Sequence, residues 1–126
     1  MSGNLNKEGK ENNKRHGKEV YQAASIGHKV RVLLDKSRGA LGGLTGGTSI
    51  YDWCVYPPES THQMQEVVYV LEGRGTMRLD DKEIELEPGI SIVVPPGVSH
   101  TIKCHSKENS VMIFWVQAPI NWYKPP

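Results

Sequence analysis

The chain has no hydrophobic run that approaches the roughly 20 residues needed for a membrane-spanning helix. It also has no apolar segment of the secretory-signal type near its N-terminus. Its net charge of +1 provides no strong field toward nucleic acid or an anionic membrane. We therefore expect a cytoplasmic protein that has neither nucleic acid nor membrane as a partner.

Cysteine is scarce as well, since Cys54 and Cys104 are the only two. Two cysteines are too few for a disulfide framework, and a reducing compartment keeps them as thiols. Helical periodicity is missing at any useful length, so an all-β fold is favoured. A chain of 126 residues has room for one core, which predicts a single domain.

The first 19 residues contain Met1 and Leu5 as their only hydrophobic side chains, with five Lys or Arg against three Glu. Such a segment buries too little apolar surface to offset the entropy of ordering it. We predict a disordered polar tail over residues 1–19 and one domain over residues 20–126.

From Val20 onward, short runs rich in β-branched residues alternate with turn signals. Residues 77–86 form a hairpin pattern around the turn Asp80 to Lys82. Further strands are predicted over the runs KVRVLLD (29–35), IYDWCVY (50–56), EVVYVLEG (66–73), SIVV (91–94), HTIKC (100–104) and VMIFWV (111–116). Many short strands at near-regular spacing predict an antiparallel sandwich or barrel.

Two features of this pattern bear on assembly and on nucleotide binding. The run EVVYVLEG is apolar on both faces, so something should cover its outer face, and a second subunit makes a homodimer the expected state. The glycine-dense stretch SRGALGGLTGGTS reads as a loop. It is not a P-loop, because Thr48 stands where the lysine belongs.

The segment STHQMQE precedes EVVYVLEG closely and carries polar groups at alternate positions. In an extended chain Ser60, His62, Met64 and Glu66 share one face, which continues into the interior face of the next strand. A histidine and a carboxylate on an interior face either bind something or hydrogen-bond to each other.

Further glycines, prolines and a histidine follow these residues at fixed distances along the chain. Glu66 is followed after six residues by Gly73 in STHQMQEVVYVLEG, and GISIVVPPGVSHTIKC places Gly89 before a Pro-Pro-Gly turn and His100. Together these segments resemble the two sequence motifs of the cupin superfamily, over roughly residues 30–117. The resemblance implies a double-sheet antiparallel jelly roll, the cupin β-barrel, whose interior can enclose a ligand or a metal.

Matched residue by residue, the resemblance implies that His62, Glu66 and His100 are metal ligands. Two positions depart from the family pattern: Ser60 replaces the first histidine of the first motif, and Cys104 replaces the asparagine that closes the second. Two imidazoles and a carboxylate suit Fe(II) first, and Mn, Ni, Zn or Co can use the same atoms. The alternative is a cupin without metal, in which His62 and Glu66 hydrogen-bond to each other.

The remaining candidates take lesser roles. Ser60 is expected to bond to water or substrate, and Met64 to line the pocket as apolar filling. Cys104 shares strand parity with His100 and is expected to face the same cavity, either as a small hydrophobe or as a reactive thiol. His105 has the opposite parity and is excluded from the site, as are His28 and the tail residue His16. The larger aromatics are assigned to core and interface rather than to a ligand cage: Trp53, Tyr56, Trp115, Trp122 and Tyr123.

Two function classes follow from these features. The first is a metal-dependent enzyme, dioxygenase-like or isomerase-like, that acts on a small polar or acidic molecule. The second is a non-catalytic cupin that binds or senses a small molecule in the same cavity. The sequence shows no general base beyond the ligands, so the substrate and reaction stay open.

Overall fold

The computed structural model describes residues 13–120. The first 12 residues of the predicted tail lie outside the described residues, as do Trp122 and Tyr123. Within residues 13–120, no helix is both long and apolar enough to cross a membrane.

Nine strands and two short 3-10 turns make up the described chain. The strands are β1 Gln22–Ser25, β2 His28–Leu34, β3 Thr45–Tyr51, β4 Gln65–Glu72, β5 Gly75–Leu79, β6 Lys82–Leu86, β7 Ser91–Val94, β8 His100–Cys104 and β9 Val111–Ala118, and the turns are Lys36–Arg38 and Lys107–Asn109. A six-stranded sheet has the order β1-β2-β3-β9-β4-β7, and a three-stranded sheet has the order β6-β5-β8. All pairings are antiparallel, which confirms the predicted double-sheet jelly roll.

The core fills the space between the two sheets, as strand alternation requires. Its most deeply buried side chains come from both sheets: Val68, Val70, Met77, Leu86, Val94, Ile102, Val111 and Ile113. The hairpin predicted over residues 77–86 is confirmed, since Leu79 pairs with Lys82 across a two-residue loop. Asp80 in that loop adopts a positive φ of 55°, a conformation that Asp tolerates better than most residues.

Strand β3 begins earlier and ends earlier than the sequence predicts. It covers Thr45–Tyr51 and so includes the last five residues of the glycine-dense stretch, while the predicted continuation to Tyr56 leaves the sheet. The glycines permit close backbone approach: a Cβ on Gly47 would lie 2.0 Å from the carbonyl oxygen of Arg31 on β2. Gly46 and Gly47 therefore serve strand packing, whereas Gly39, Gly42 and Gly43 lie with positive φ in the loop before β3, as the sequence predicts.

The chain between β3 and β4 runs beside the free edge of β8. Ser60 and His100 exchange two backbone hydrogen bonds, with N to O distances of 2.9 and 3.0 Å. The Thr101 hydroxyl donates to the carbonyl of Pro57 at 2.9 Å, and the amide of Cys104 donates to that of Trp53 at 2.9 Å. We call residues 53–60 the edge segment, because it covers an edge of the smaller sheet.

The end of the predicted tail, residues 13–19, contacts strand β2. The Arg15 guanidinium donates to the carbonyl of Val32 at 2.8 Å, and the Arg31 guanidinium donates to that of Glu19 at 3.2 Å. The boundary at residue 20 stays a prediction.

Candidate metal centre

Three of the predicted site residues converge in the interior of the barrel. His62 lies in the loop before β4, Glu66 on β4 of the larger sheet and His100 at the start of β8 in the smaller sheet. One potential ligand atom from each lies within 4.8 Å of the other two. The strand period places Glu66 inward, and the edge-segment bridge between Ser60 and His100 brings the second sheet to it.

The distances between the ligand atoms suit a first-row metal ion. His62 Nε2 lies 3.0 Å and His100 Nε2 lies 3.4 Å from Glu66 Oε1. Ligand atoms at about 2.1 Å from an ion and at right angles to each other lie roughly 3 Å apart. The two imidazole rings meet edge to face, with centroids 5.0 Å apart, so both nitrogens point toward the carboxylate.

Backbone carbonyls fix the protonation pattern of both rings. His62 Nδ1 donates to the carbonyl of Met64 at 2.8 Å, and His100 Nδ1 donates to that of Val98 at 3.0 Å. A carbonyl only accepts, so each Nδ1 carries its proton and each neutral ring presents its Nε2 lone pair to Glu66. Lone pairs of two rings and a carboxylate oxygen then face one another, an arrangement that needs either an extra proton or a cation.

The electrostatics of the metal-free centre favour the proton. Burial acts to raise the pKa of Glu66, but hydrogen bonds and charge from His100 and His62 outweigh it and lower the pKa below its ordinary 4.5. Burial likewise acts to lower the pKa of His100, but its bonds to Glu66 and Val98 raise it above 6.5. Glu66 thus stays anionic and His100 tends to hold a proton that a metal ion would displace.

The three candidate ligands line a cavity of about 240 Å³. Ser60 also lines it and is exposed, at the mouth. The Gln117 amide lines it too and donates to Glu66 Oε1 at 3.3 Å. Other lining side chains are Val30, Ser49, Tyr51 and Trp115.

Two predicted pocket residues, Met64 and Cys104, are not part of the cavity wall. Met64 contributes only its carbonyl, which orients the His62 ring. Cys104 lies four residues along β8 from His100, roughly 13 Å at the rise of an antiparallel strand. Parity gives the face of a strand but not the distance along it, so Cys104 occupies the opposite end.

His28, which the sequence excludes, lines the cavity. It enters from the first residue of β2 and stacks on Tyr51, with ring centroids 4.2 Å apart and an interplanar angle of 12°. Burial lowers the pKa of His28 below 6.5, which keeps the ring neutral. Alternation along a single strand could not predict this position of His28, because its contact with Tyr51 depends on the pairing of β2 with β3.

Two buried nitrogens of the cavity residues are left without a hydrogen-bond partner among residues 13–120. They are Nε2 of His28 and Nε1 of Trp115. Trp115 is 8% exposed and packs in the core, as the sequence predicts, whereas Trp53 is 37% exposed. Orphaned buried polar nitrogens are uncommon in folded proteins, so these two mark where a bound molecule is expected to hydrogen-bond, with Trp115 Nε1 as a donor and His28 Nε2 as a donor or an acceptor according to its tautomer.

A family profile described as the cupin domain matches residues 53–117, which include the edge segment, all three candidate ligands and all but the last residue of β9. The chain is a cupin. This confirms the family that the motif spacing predicts.

This cupin also resembles individual proteins in sequence or in fold. A segment of 39 residues is 44% identical to an uncharacterized protein of Methanocaldococcus jannaschii, and the match spans 31% of each chain. KdgF from a Halomonas species superposes with a TM-score of 0.67 at 15% identity, over 88% of this chain and 96% of that one. The Fe(II) form of HppE superposes with a TM-score of 0.67 at 20% identity, over 79% of this chain and 56% of that one. Identities this low establish the shared fold alone.

Proposed function

We propose that this cupin holds one divalent transition metal through His62, Glu66 and His100 and acts on a small polar or acidic molecule in the adjoining cavity. The observation that carries the proposal is the pair of carbonyl bonds at Met64 and Val98. They direct two Nε2 lone pairs at one buried carboxylate, and a buried charge of this kind requires compensation.

Iron is the first choice of metal, followed by Mn, Ni, Zn and Co. Two imidazoles and a carboxylate form the facial set of non-haem Fe(II) oxygenases. The similar HppE fold binds Fe(II), which supports this choice without deciding it. A bound ion of this kind supplies a Lewis acid and, if it is iron, redox chemistry with O2.

The cavity limits the substrate to a small molecule. Its volume of about 240 Å³ is below the roughly 300–1,000 Å³ of ordinary ligand pockets. No Lys or Arg side chain lines it within the described residues, so an anionic substrate group must be balanced at the metal. Trp115 and His28 add polar nitrogens to the cavity wall, and Val30 and Tyr51 offer it apolar surface.

One observation favours the alternative of a non-catalytic binding or sensing cupin. Ser60 stands in place of a fourth ligand, and its hydroxyl is a poor ligand for these ions. In that case the same cavity holds a small ligand without turnover, with a proton shared among His62, Glu66 and His100.

A homodimer is the proposed assembly. The outer face of the larger sheet exposes Val67, Tyr69 and Leu71 on β4 and Val93 on β7. These residues form a contiguous apolar patch, because Val67 pairs directly with Val93.

Elemental analysis of protein purified without added metal tests the proposal first. We expect close to one Fe, or another first-row metal, per chain, and a higher melting temperature after reloading a chelated sample. His62→Ala should lose the metal, whereas His105→Ala is the matched control, because that exposed ring pairs with Glu85 on the surface. Protein that carries no metal and is not stabilised by Fe(II), Mn(II), Ni(II) or Zn(II) contradicts the metal proposal.

Turnover separates the two function classes. The loaded protein is incubated in air with a panel of small carboxylic acids, and product formation and oxygen uptake are followed. Consumption that depends on the metal supports an enzyme. Binding of a panel member without consumption supports the alternative.

A further inference from the structure

The two cysteines of the chain come together at the end of β8 that lies away from the metal centre. Cys104 is buried there, while Cys54 is exposed in the edge segment. The amide of Cys104 donates to the carbonyl of Trp53 at 2.9 Å, and its Sγ donates to the same oxygen at 3.1 Å. Neither thiol has a role in the proposed metal chemistry.

The bond to Trp53 limits how far apart the cysteines are. Cys54 follows Trp53 directly, so its Cα is within about 3 Å of the accepting oxygen, and the two cysteine Cα atoms lie no more than about 7 Å apart. Disulfides form at Cα separations of roughly 4.4–6.8 Å. The two thiols also interact electrostatically. Burial is the main cause that raises the pKa of Cys104, and charge and hydrogen bonding from Cys54 raise it further.

The edge segment is held in place at this point. The Trp53 side chain packs so closely on the β1–β2 turn that a Cβ on Gly27 would lie 2.6 Å from the Trp53 Cβ. The amide of Asp52 donates to the carbonyl of Gly27 at 3.2 Å, and its carboxylate pairs with Lys29 at 3.3 Å. Cys54 is therefore presented to Cys104 by packed structure on both sides.

We propose that Cys54 and Cys104 form a reversible disulfide within one chain when the folded protein meets a small disulfide oxidant such as oxidised glutathione. The exposed Cys54 thiolate attacks one sulfur of the oxidant, and one glutathione thiolate leaves. The Cys104 thiolate then attacks the Cys54 sulfur and displaces the second glutathione. The dithiol loses two electrons and two protons, and one oxidised glutathione becomes two reduced molecules.

The fold tolerates the loss of the Cys104 proton. The carbonyl of Trp53 keeps its backbone bond from Cys104 N after the Sγ donor is gone, so no buried acceptor is orphaned. In a reducing compartment both thiols remain free, so the disulfide forms only when an oxidant is present. It then ties the edge segment to β8 and constrains a long loop of the unfolded chain.

The test treats folded, reduced protein with oxidised glutathione, blocks the remaining thiols under denaturing conditions and measures mass. Two titratable thiols should fall to none, with a mass lower by two hydrogens and no glutathione attached. The Tm should rise by about 5 °C or more and return after dithiothreitol treatment.

Single variants assign the steps. Cys104→Ala should stop at a stable glutathione adduct on Cys54, because the resolving thiol is gone. Cys54→Ser should keep a single unreacted thiol, because Cys104 is buried. Cys104→Val is made alongside, so that at least one resolving variant folds.

Three results would overturn the inference: a wild-type protein that ends as a glutathione adduct, as a disulfide between two chains, or with a lower Tm. None of these three results depends on bound metal, so the disulfide proposal and the metal proposal can fail independently.

Discussion

The two faces of strand β4 each carry residues that an ordinary sheet places on the other face. On the inner face Glu66 is only 6% exposed, whereas Val67 and Tyr69 on the outer face are 45% and 43% exposed. A buried carboxylate costs free energy unless a partner or a cation compensates it, and exposed apolar residues lose the stabilisation of burial. The proposed cation would compensate the carboxylate on the inner face, and the proposed second subunit would cover the apolar residues on the outer face.

The largest effect is expected on the inner face, from Glu66→Gln. The amide keeps the shape of the side chain but removes the charge that balances the ion, so metal affinity should fall by at least about 100-fold. Isothermal titration with Fe(II) or Zn(II) measures it. Glu85→Gln on the exposed side of β6 is the control, and equal affinities of the two variants would show that Glu66 is not a ligand.

The outer face is tested by Val67→Lys. A charge in the middle of the apolar patch should shift a dimer to a monomer, since burial of an unpaired ammonium at an interface is costly. Light scattering at tens of micromolar gives the mass. Leu41→Lys is the matched control, because Leu41 is also apolar and is 85% exposed, but lies in the loop before β3 and not on β4 or β7. A monomeric wild type rejects the dimer and leaves the fold intact.

Ser60→His tests the inner face by adding a possible ligand to the metal centre. The substitution supplies a fourth ligand, a third imidazole, at the cavity mouth and should tighten metal binding about 10-fold, on the order of 1.4 kcal/mol. Thr61→His is the control, because the neighbouring position lies outside the cavity lining. Equal tightening in both variants would mean that a surface histidine, and not the site, is responsible.

The smallest effect is a difference in pH dependence. In the metal-free protein the raised pKa of His100 contributes stability that is complete below pH 6.5 and lost as pH rises through the folded-state pKa. Glu66, with its lowered pKa, contributes stability above pH 4.5 that is lost as pH falls further. The neutral His28 contributes the opposite slope to His100, but only below pH 6.5.

Metal must displace the His100 proton, so the loaded native state holds no proton there and should not lose stability above pH 6.5. Its Tm should stay level above pH 6.5 and decrease as the pH falls below 6.5, while the Tm of the metal-free protein falls above pH 6.5. Scanning calorimetry on both forms checks this. Parallel slopes would indicate that the proton and the metal do not compete for the same nitrogen.

The sequence predicts the parts of the site that depend on local spacing. Glu66 and His62 follow from their positions in one segment, and His100 from the Pro-Pro-Gly turn before it, because the cupin motifs encode the fold around them. His28 escapes prediction, since it reaches the cavity only through the pairing of β2 with β3. The position of Cys104 outside the cavity lining has a related reason: alternation fixes the face of its side chain, and it packs there in the core, but the length of β8 separates it from His100.

Strand β9 has a consequence for synthesis of the protein on the ribosome. It lies between β3 and β4, at the centre of the larger sheet, although it is the last strand of the described chain. Until residues 111–118 have emerged, that sheet exists as two pieces, β1-β2-β3 and β4-β7, each with an unpaired edge. Translation at roughly 5–20 residues per second leaves these edges open for seconds, so the nascent chain depends on late closure or on chaperones to avoid edge-to-edge association.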